Sequence, residues 1–308
     1  MGELSRVAII GTGTMGPGMG AVLERAGMSV VLYDVDPEAL ERARGGADMA
    51  RGVLERLGLP QSPEGKLDFE SDLATALAGA EMVIEAVPEK LELKQQVFAE
   101  FERHTDATAI LASNTSGIPI TKIAAELEHP ERAIGMHWSN PPHLIPMIEV
   151  IPGERTSEEV VAATNAVVER TGYHPVVIRK EVPGFVENRI LYAIMRECLA
   201  LVDEGVIDAE GVDLNVKWGI GYKLAVIPPM ALLDMAGLDI YESVAGYLNK
   251  DLSTESGVSE TITRLTGEGK LGIKAGGGMY EYDAEQLKTL PAKRAGQLIA
   301  VRKALSED

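Results

Sequence analysis

Cysteine is nearly absent. Cys198 stands alone among 308 residues, so no internal disulfide can form. That suits a reducing, cytoplasmic setting, and a lone thiol inside LYAIMRECLALV reads as an inert packing residue. Long apolar runs are missing too: none approaches the roughly 20 residues of a membrane span. The start, MGELSRVAII, enters a strand pattern almost at once and leaves no room for a signal peptide. Positive charge is the third shortage. Lys and Arg number 29 against 47 Asp and Glu, a net charge of −18. Repulsion from phosphates then opposes nucleic acid and anionic membranes as partners. A strongly anionic ligand would need a local basic patch. Internal repeats and low-complexity segments are also lacking.

The hydrophobic share of 45% and charged share of 25% are ordinary for a globular protein. The length suggests two domains. In the first half, strand patterns at 6–10, 29–33, 81–86, 108–112, 132–137, 146–151 and 174–179 alternate with helical patterns at 14–26, 37–57, 72–77, 91–104 and 157–171. Such alternation predicts an α/β fold, a parallel sheet covered by helices on both faces. A hairpin-like return is expected between 137 and the 146–151 strand. The stretch 57–68, LGLPQSPEGKLD, reads as a surface loop. From about Pro183 the strand signals stop, and helices are expected over 184–203, 209–219, 229–248, 256–266 and 283–305. The expected division is a Rossmann-type dinucleotide-binding domain over 1–182 and an all-helical domain over 183–308.

VAIIGTGTMGPGMG places Gly11, Gly13 and Gly16 in G-x-G-x-x-G spacing after an apolar strand and before a helix. The first glycine permits the turn, the second the approach of a pyrophosphate, and the third close helix–strand packing. Amide groups at the helix N-terminus favour the phosphates. Thr12, Thr14 and Met15 complete the candidate loop. The second strand, VVLYD, ends in Asp34, a carboxylate placed for the adenosine ribose hydroxyls and repellent to the extra phosphate of NADP. No arginine follows within DVDPEAL, so the expected cofactor is NAD.

Further motifs are MVIEAVPEKLELK (82–94), ASNTSGIPIT (112–121), GMHWSNPPHLIPMIEV (135–150), VPGFVENRIL (182–191) and GIKAGGGMYEY (272–282). With these in order, the chain resembles the L-3-hydroxyacyl-CoA dehydrogenase family up to about residue 282. The resemblance implies an NAD-binding domain, a helical domain that forms a homodimer, and a catalytic pair of His137 and Glu149, twelve residues apart. It places Ser113 and Asn188 on the substrate oxygens. It places Glu89 and Lys94 at the nicotinamide half of NAD, with Val87, Pro88, Asn114, Asn140 and Lys274 also on the cofactor. No metal site is expected.

Elementary chemistry agrees with that pair. A carbon releases hydride only as its hydroxyl loses a proton, and a histidine near neutral pKa is a suitable acceptor. A carboxylate on its other ring nitrogen holds the tautomer and stabilises the imidazolium. His143 has no counterpart in the family and reads either as a loop residue or as a substrate contact. His104 and His129 read as surface residues, and His174 as one that caps or packs.

Two segments depart from the acyl-CoA members. The stretch after the second strand is short and only sparsely basic, and GYKLAVIPPMALLDMAGLD replaces the family's usual turn. His-x-x-Asn-Pro-Pro is similar to the branch holding gulonate 3-dehydrogenase, lambda-crystallin and a pyridine-carboxylate dehydrogenase. The expected reaction is hydride transfer between NAD and a small carboxylate-bearing alcohol or aldehyde, such as a pyridine carboxylate, held by local cations such as Arg189 or Lys223. A 3-hydroxyacyl-CoA substrate is the alternative, and a non-catalytic NAD-binding protein the minor one.

Overall fold

The computed structural model describes residues 4–306. It divides into two compact units, cut between Asn188 and Arg189. That cut falls beyond the expected boundary at 182/183. The reason is that Phe185 is completely buried in the first unit's core, among Ile120, Ile123 and Ile178. The segment after Pro183 is therefore still tied to the sheet.

The first unit holds one eight-stranded sheet: β1 (Arg6–Ile10), β2 (Ser29–Tyr33), β3 (Lys66–Glu70), β4 (Met82–Glu85), β5 (Ile110–Ser113), β6 (Ala133–Trp138), β7 (Met147–Pro152) and β8 (His174–Val177). Their spatial order is β3-β2-β1-β4-β5-β6-β7-β8. Every neighbouring pair is parallel except β6 and β7, which run antiparallel as the hairpin-like return requires. Strand β3 corrects the reading of 57–68 as loop throughout. It is an edge strand with Lys66 and Asp68 exposed and Leu67, Phe69 and Glu70 only partly covered. A half-exposed five-residue edge carries too little apolar signal to stand out.

Among the described residues, six α-helices lie wholly within this unit: α1 (Gly16–Arg25), α2 (Pro37–Leu57), α3 (Leu73–Leu77), α4 (Leu91–His104), α5 (Ile120–Ile123) and α6 (Glu158–Arg170). Helix α2 shows why local sequence sets the bounds. Asp36 caps its first turn by accepting from the Glu38 N–H, Pro37 occupies the first position, and Gly58 closes it in the left-handed region. Central strands are mostly apolar because helices cover both faces; β4, β5 and β6 are buried at every position, including the polar Glu85, Ser113 and His137. Phe98 and Phe101 of α4 lie wholly inside the core that Ala8, Val83 and Leu111 also form.

The second unit is helical, as expected. Helix α7 (Glu187–Asp203) begins within the first unit and runs into the second. It is followed by α8 (Ala209–Asn215), α9 (Tyr222–Leu224), α10 (Pro229–Ala236), α11 (Leu238–Leu248), α12 (Glu260–Gly267) and α13 (Ala284–Leu305). A π-helical segment, Val216–Gly221, follows α8. The continuous helix expected over 229–248 is two helices. Gly237 stands between them at φ 98°, a conformation that ends α10.

Candidate active site

The register of the antiparallel pair explains the twelve-residue spacing. His137 of β6 lies directly opposite Glu149 of β7, so both side chains leave the same face of the sheet. His137 Nδ1 and Glu149 Oε2 are 2.8 Å apart, and both residues are buried. The other Glu149 oxygen, Oε1, accepts from the backbone N–H groups of Val186 (3.0 Å) and Glu187 (2.9 Å) at the start of α7. Burial pushes the Glu149 carboxyl upward, but the His137 hydrogen bond and these amides outweigh it. The net result lies below the ordinary carboxylate range. An ionised Glu149 accepts the Nδ1 proton, which leaves Nε2 of His137 as the basic nitrogen.

Glu187 adds a second carboxylate. Ligating atoms of His137, Glu149 and Glu187 lie within 4.8 Å of one another, and the Ser139 hydroxyl donates to Glu187. The spacing alone is compatible with a metal. Both Glu149 oxygens also take part in hydrogen bonds, Oε2 with His137 and Oε1 with two backbone amides.

A second buried charge cluster lies where β4 and β5 end. Glu85 is fully enclosed, and its oxygens accept from Lys94 Nζ at 2.7 and 2.9 Å and from the Ser113 hydroxyl at 2.6 Å. Burial raises the Glu85 carboxyl, against the pull of Lys94 and Ser113. Lys94 also reaches Glu89 at 3.1 Å, and Glu89 accepts from Thr115 and from the Ser116 N–H.

Two of the expected site residues belong to this cluster. Ser113 is buried, and its hydroxyl donates to Glu85. Lys94 is 1% exposed, and its ammonium pairs with both Glu85 and Glu89, which fixes the position of Glu89. Glu85 was missed by sequence reasoning. The available signal was an acid inside the apolar run MVIEAV, since a charge in a buried strand must find a partner. Ser116 is exposed, and its carbonyl accepts from Asn188 Nδ2 at 3.2 Å, so Asn188 and the ASNTS loop do come together. Asn140 is exposed. Asn114 uses Oδ1 to accept from the Trp138 N–H, anchoring the end of β6. Val87 donates its N–H to Glu85, and Pro88 is exposed. Lys274 lies exposed in the second unit, in the short 3-10 turn Ile273–Ala275.

The glycine-rich loop fits a dinucleotide. Gly11 has φ 110°, and a Cβ there would meet the Ala86 carbonyl at 2.6 Å. At Gly13 a Cβ would meet nothing within 4 Å, so the space above this residue is open for phosphate. Met15 precedes α1 directly, while Gly16 opens it. Asp34, at the end of β2, accepts from the Thr12 N–H and hydroxyl and from the Asp36 N–H. Burial opposes its ionisation, but these bonds prevail and hold its carboxyl below the usual value. Thr12, Gly13, Thr14 and Asp34 line one cavity of about 370 Å³. Arg42 lines it as well, but its guanidinium pairs with Asp36 at 3.2 Å and Glu38 at 3.8 Å.

Comparison with known proteins accords with this geometry. Residues 6–182 match the 3-hydroxyacyl-CoA dehydrogenase NAD binding domain, and residues 184–282 match the family's C-terminal domain. The chain belongs to the 3-hydroxyacyl-CoA dehydrogenase family and is an NAD-dependent dehydrogenase. It is 53% identical over 304 residues to 5-formyl-3-hydroxy-2-methylpyridine 4-carboxylate 5-dehydrogenase of Mesorhizobium japonicum, covering 98% of each chain. A crystal structure of a 5-dehydrogenase of that compound, described as an NAD+ dependent dismutase, superposes with TM-score 0.96 at 52% identity, covering 98% of this chain and 99% of that one. A probable 3-hydroxybutyryl-CoA dehydrogenase of Deinococcus radiodurans is 34% identical, over 90% of this chain and all of the relative.

Proposed function

We propose that the chain oxidises the formyl group of a small pyridine carboxylate with NAD, 5-formyl-3-hydroxy-2-methylpyridine 4-carboxylate being the first substrate to test. The observation that carries this reading is the 53% identity, spread over 98% of both chains, to a dehydrogenase of that compound. An aldehyde has no hydroxyl proton to give, so the reacting species is its hydrate. His137 Nε2 is the base placed to accept one hydroxyl proton of the hydrate; NAD, when bound, would supply the hydride acceptor, and the product would be a carboxylic acid. Glu149 stabilises the imidazolium through Nδ1. Asn188, beside the exposed Ser116, would orient the substrate oxygens, Glu89 with Lys94 would hold the nicotinamide half of NAD, and Asn140 would also contact the cofactor.

A cytoplasmic homodimer belongs to the same proposal. Among the described residues no helix is long and apolar enough to cross a membrane. The lone cysteine suits a reducing compartment. None of the residues of α7, α10 or α11 is buried, while Met230, Met235, Leu238 and Tyr247 are each exposed by more than half. Apolar helical faces of this kind call for a second copy to cover them.

The discriminating experiment follows NADH absorbance with the formyl pyridine carboxylate, gulonate, carnitine and 3-hydroxybutyryl-CoA. The pyridine compound is expected to give the highest kcat/KM. A CoA ester that exceeds about 10⁴ M⁻¹s⁻¹ and beats every free acid would restore the acyl-CoA reading.

A further inference from the structure

His143 lies in the turn between β6 and β7, one residue after Pro142, whose carbonyl accepts from the Tyr173 hydroxyl at 2.8 Å. It is 8% exposed. Its Nδ1 is enclosed and has no hydrogen-bond partner among the described residues. The ring sits against the first turn of α1. A Cβ on Gly18 would meet Pro142 Cγ at 2.7 Å and His143 Nδ1 at 3.0 Å, so the glycine is what admits the imidazole there. The same ring forms part of the wall of the cavity lined by Thr12, Gly13, Thr14 and Asp34. An unpartnered buried imidazole thus shares a cavity with the cofactor loop.

Burial lowers the affinity of His143 for a second proton, so the ring is neutral. A neutral imidazole carries one N–H. An orphaned N–H against Gly18 is costlier than an orphaned lone pair, so the proton belongs on Nε2. The ring therefore offers a hydrogen-bond donor to whatever fills the cavity, and a donor at the N-terminal turn of a ten-residue helix suits an anionic oxygen.

We infer that His143 is a further cofactor-binding residue, donating from Nε2 to an oxygen of the adenosine diphosphate half of NAD. Arg42 and Asp34 are the charged groups that share this cavity. Asp34 is an acceptor held by Thr12, and Arg42 is a largely exposed cation paired with Asp36 and Glu38, which leaves His143 as the enclosed ring donor of this cavity.

The test is calorimetric binding of NAD and of ADP-ribose, which lacks the nicotinamide, to the full-length protein and to His143→Phe and His143→Gln. The Phe variant should weaken both ligands by the same factor, about 5–20-fold. The Gln variant keeps an N–H donor and should recover most of that loss. In the unmutated protein the Nε2 resonance of one imidazole should move when ADP-ribose is added, and should be missing from His143→Gln. That measurement decides the matter even if the Phe variant does not fold. The inference is overturned if ADP-ribose binds the folded variants as tightly as the unmutated protein, or if no imidazole responds. It is equally overturned if only the KM of the organic substrate rises, which would give the cavity to the substrate.

Discussion

The two units differ in how much apolar surface each hides by itself. In the first, strands β4, β5 and β6 are buried end to end, and Phe98, Phe101 and Phe185 have no exposed surface. In the second, Val212, Leu265 and Ile299 are the buried apolar side chains among the described residues, while Trp218, Met230, Met235 and Leu238 stand out by 60% or more. A sheet covered on both faces closes its core locally. Short helices joined by turns leave apolar faces that need another surface. The first unit is thus built to hold charges in fixed geometry, while the second leaves much of its apolar surface exposed.

The contrast can be broken most sharply at His137. His137→Gln should leave NAD binding nearly intact and lower kcat by about 10²–10⁴-fold, the range for a lost general base. Glu149→Gln should also lower kcat, and the double variant should lose much less than the product of the two, because the pair acts as a unit. A loss of tenfold or less at His137, or multiplicative losses, would send the proton elsewhere.

Next in size is Lys94. Removing it leaves Glu85 charged and enclosed, so Lys94→Ala should cost about 3–5 kcal/mol in urea unfolding. Pairing Lys94→Met with Glu85→Gln should recover a large part of that. If Lys94→Ala were instead as stable as the original and defective only in NAD binding, Lys94 would act at the cofactor alone.

Asp34→Ala should narrow the preference for NAD over NADP, which is expected to be roughly 30-fold or more. Equal kcat/KM for both cofactors in the unmutated protein would contradict the carboxylate's role. The second unit is tested by light scattering at micromolar concentration. A dimer is expected, and Met235→Glu should shift it toward monomer; a monomer from the outset would refute association through these faces.

The smallest effect is on acid stability. The folded-state carboxyls of Glu149 and Asp34 titrate below their unfolded values. The unfolded chain therefore takes up protons first as pH falls. The stabilisation these groups confer is complete above the ordinary carboxylate pKa of about 4 and is lost as pH drops through the lower folded values. Urea midpoints should be level from pH 7 to about 5 and then decline, less steeply for Glu149→Gln.

Much of the first unit was legible because its signals are local. Strand and helix periods, the caps of α2 and the glycine spacing each need only a few neighbouring residues. Strand β3 was hidden because an edge strand buries one thin row of side chains. The split of α10 from α11 was hidden because MALLDMAGLDIY keeps an apolar composition straight through Gly237. The His137–Glu149 pair lay between these extremes. Its spacing was visible, but only the β6–β7 register shows that the two residues stand directly opposite.

By itself the sequence determined the dinucleotide loop and the carboxylate at the end of β2, since each follows from residue type at short spacing, while the His–Glu pair was legible only through the resemblance to a known family. Tertiary structure alone decided which polar groups are free. Ser113 and Ser116 are three residues apart in one motif, yet one is sealed against Glu85 and the other faces outward. Lys94 is drawn inward by two acids, and His143 is placed beside Gly18. Burial and hydrogen-bond partners depend on what neighbouring strands and helices bring from far along the chain, and no local pattern encodes that.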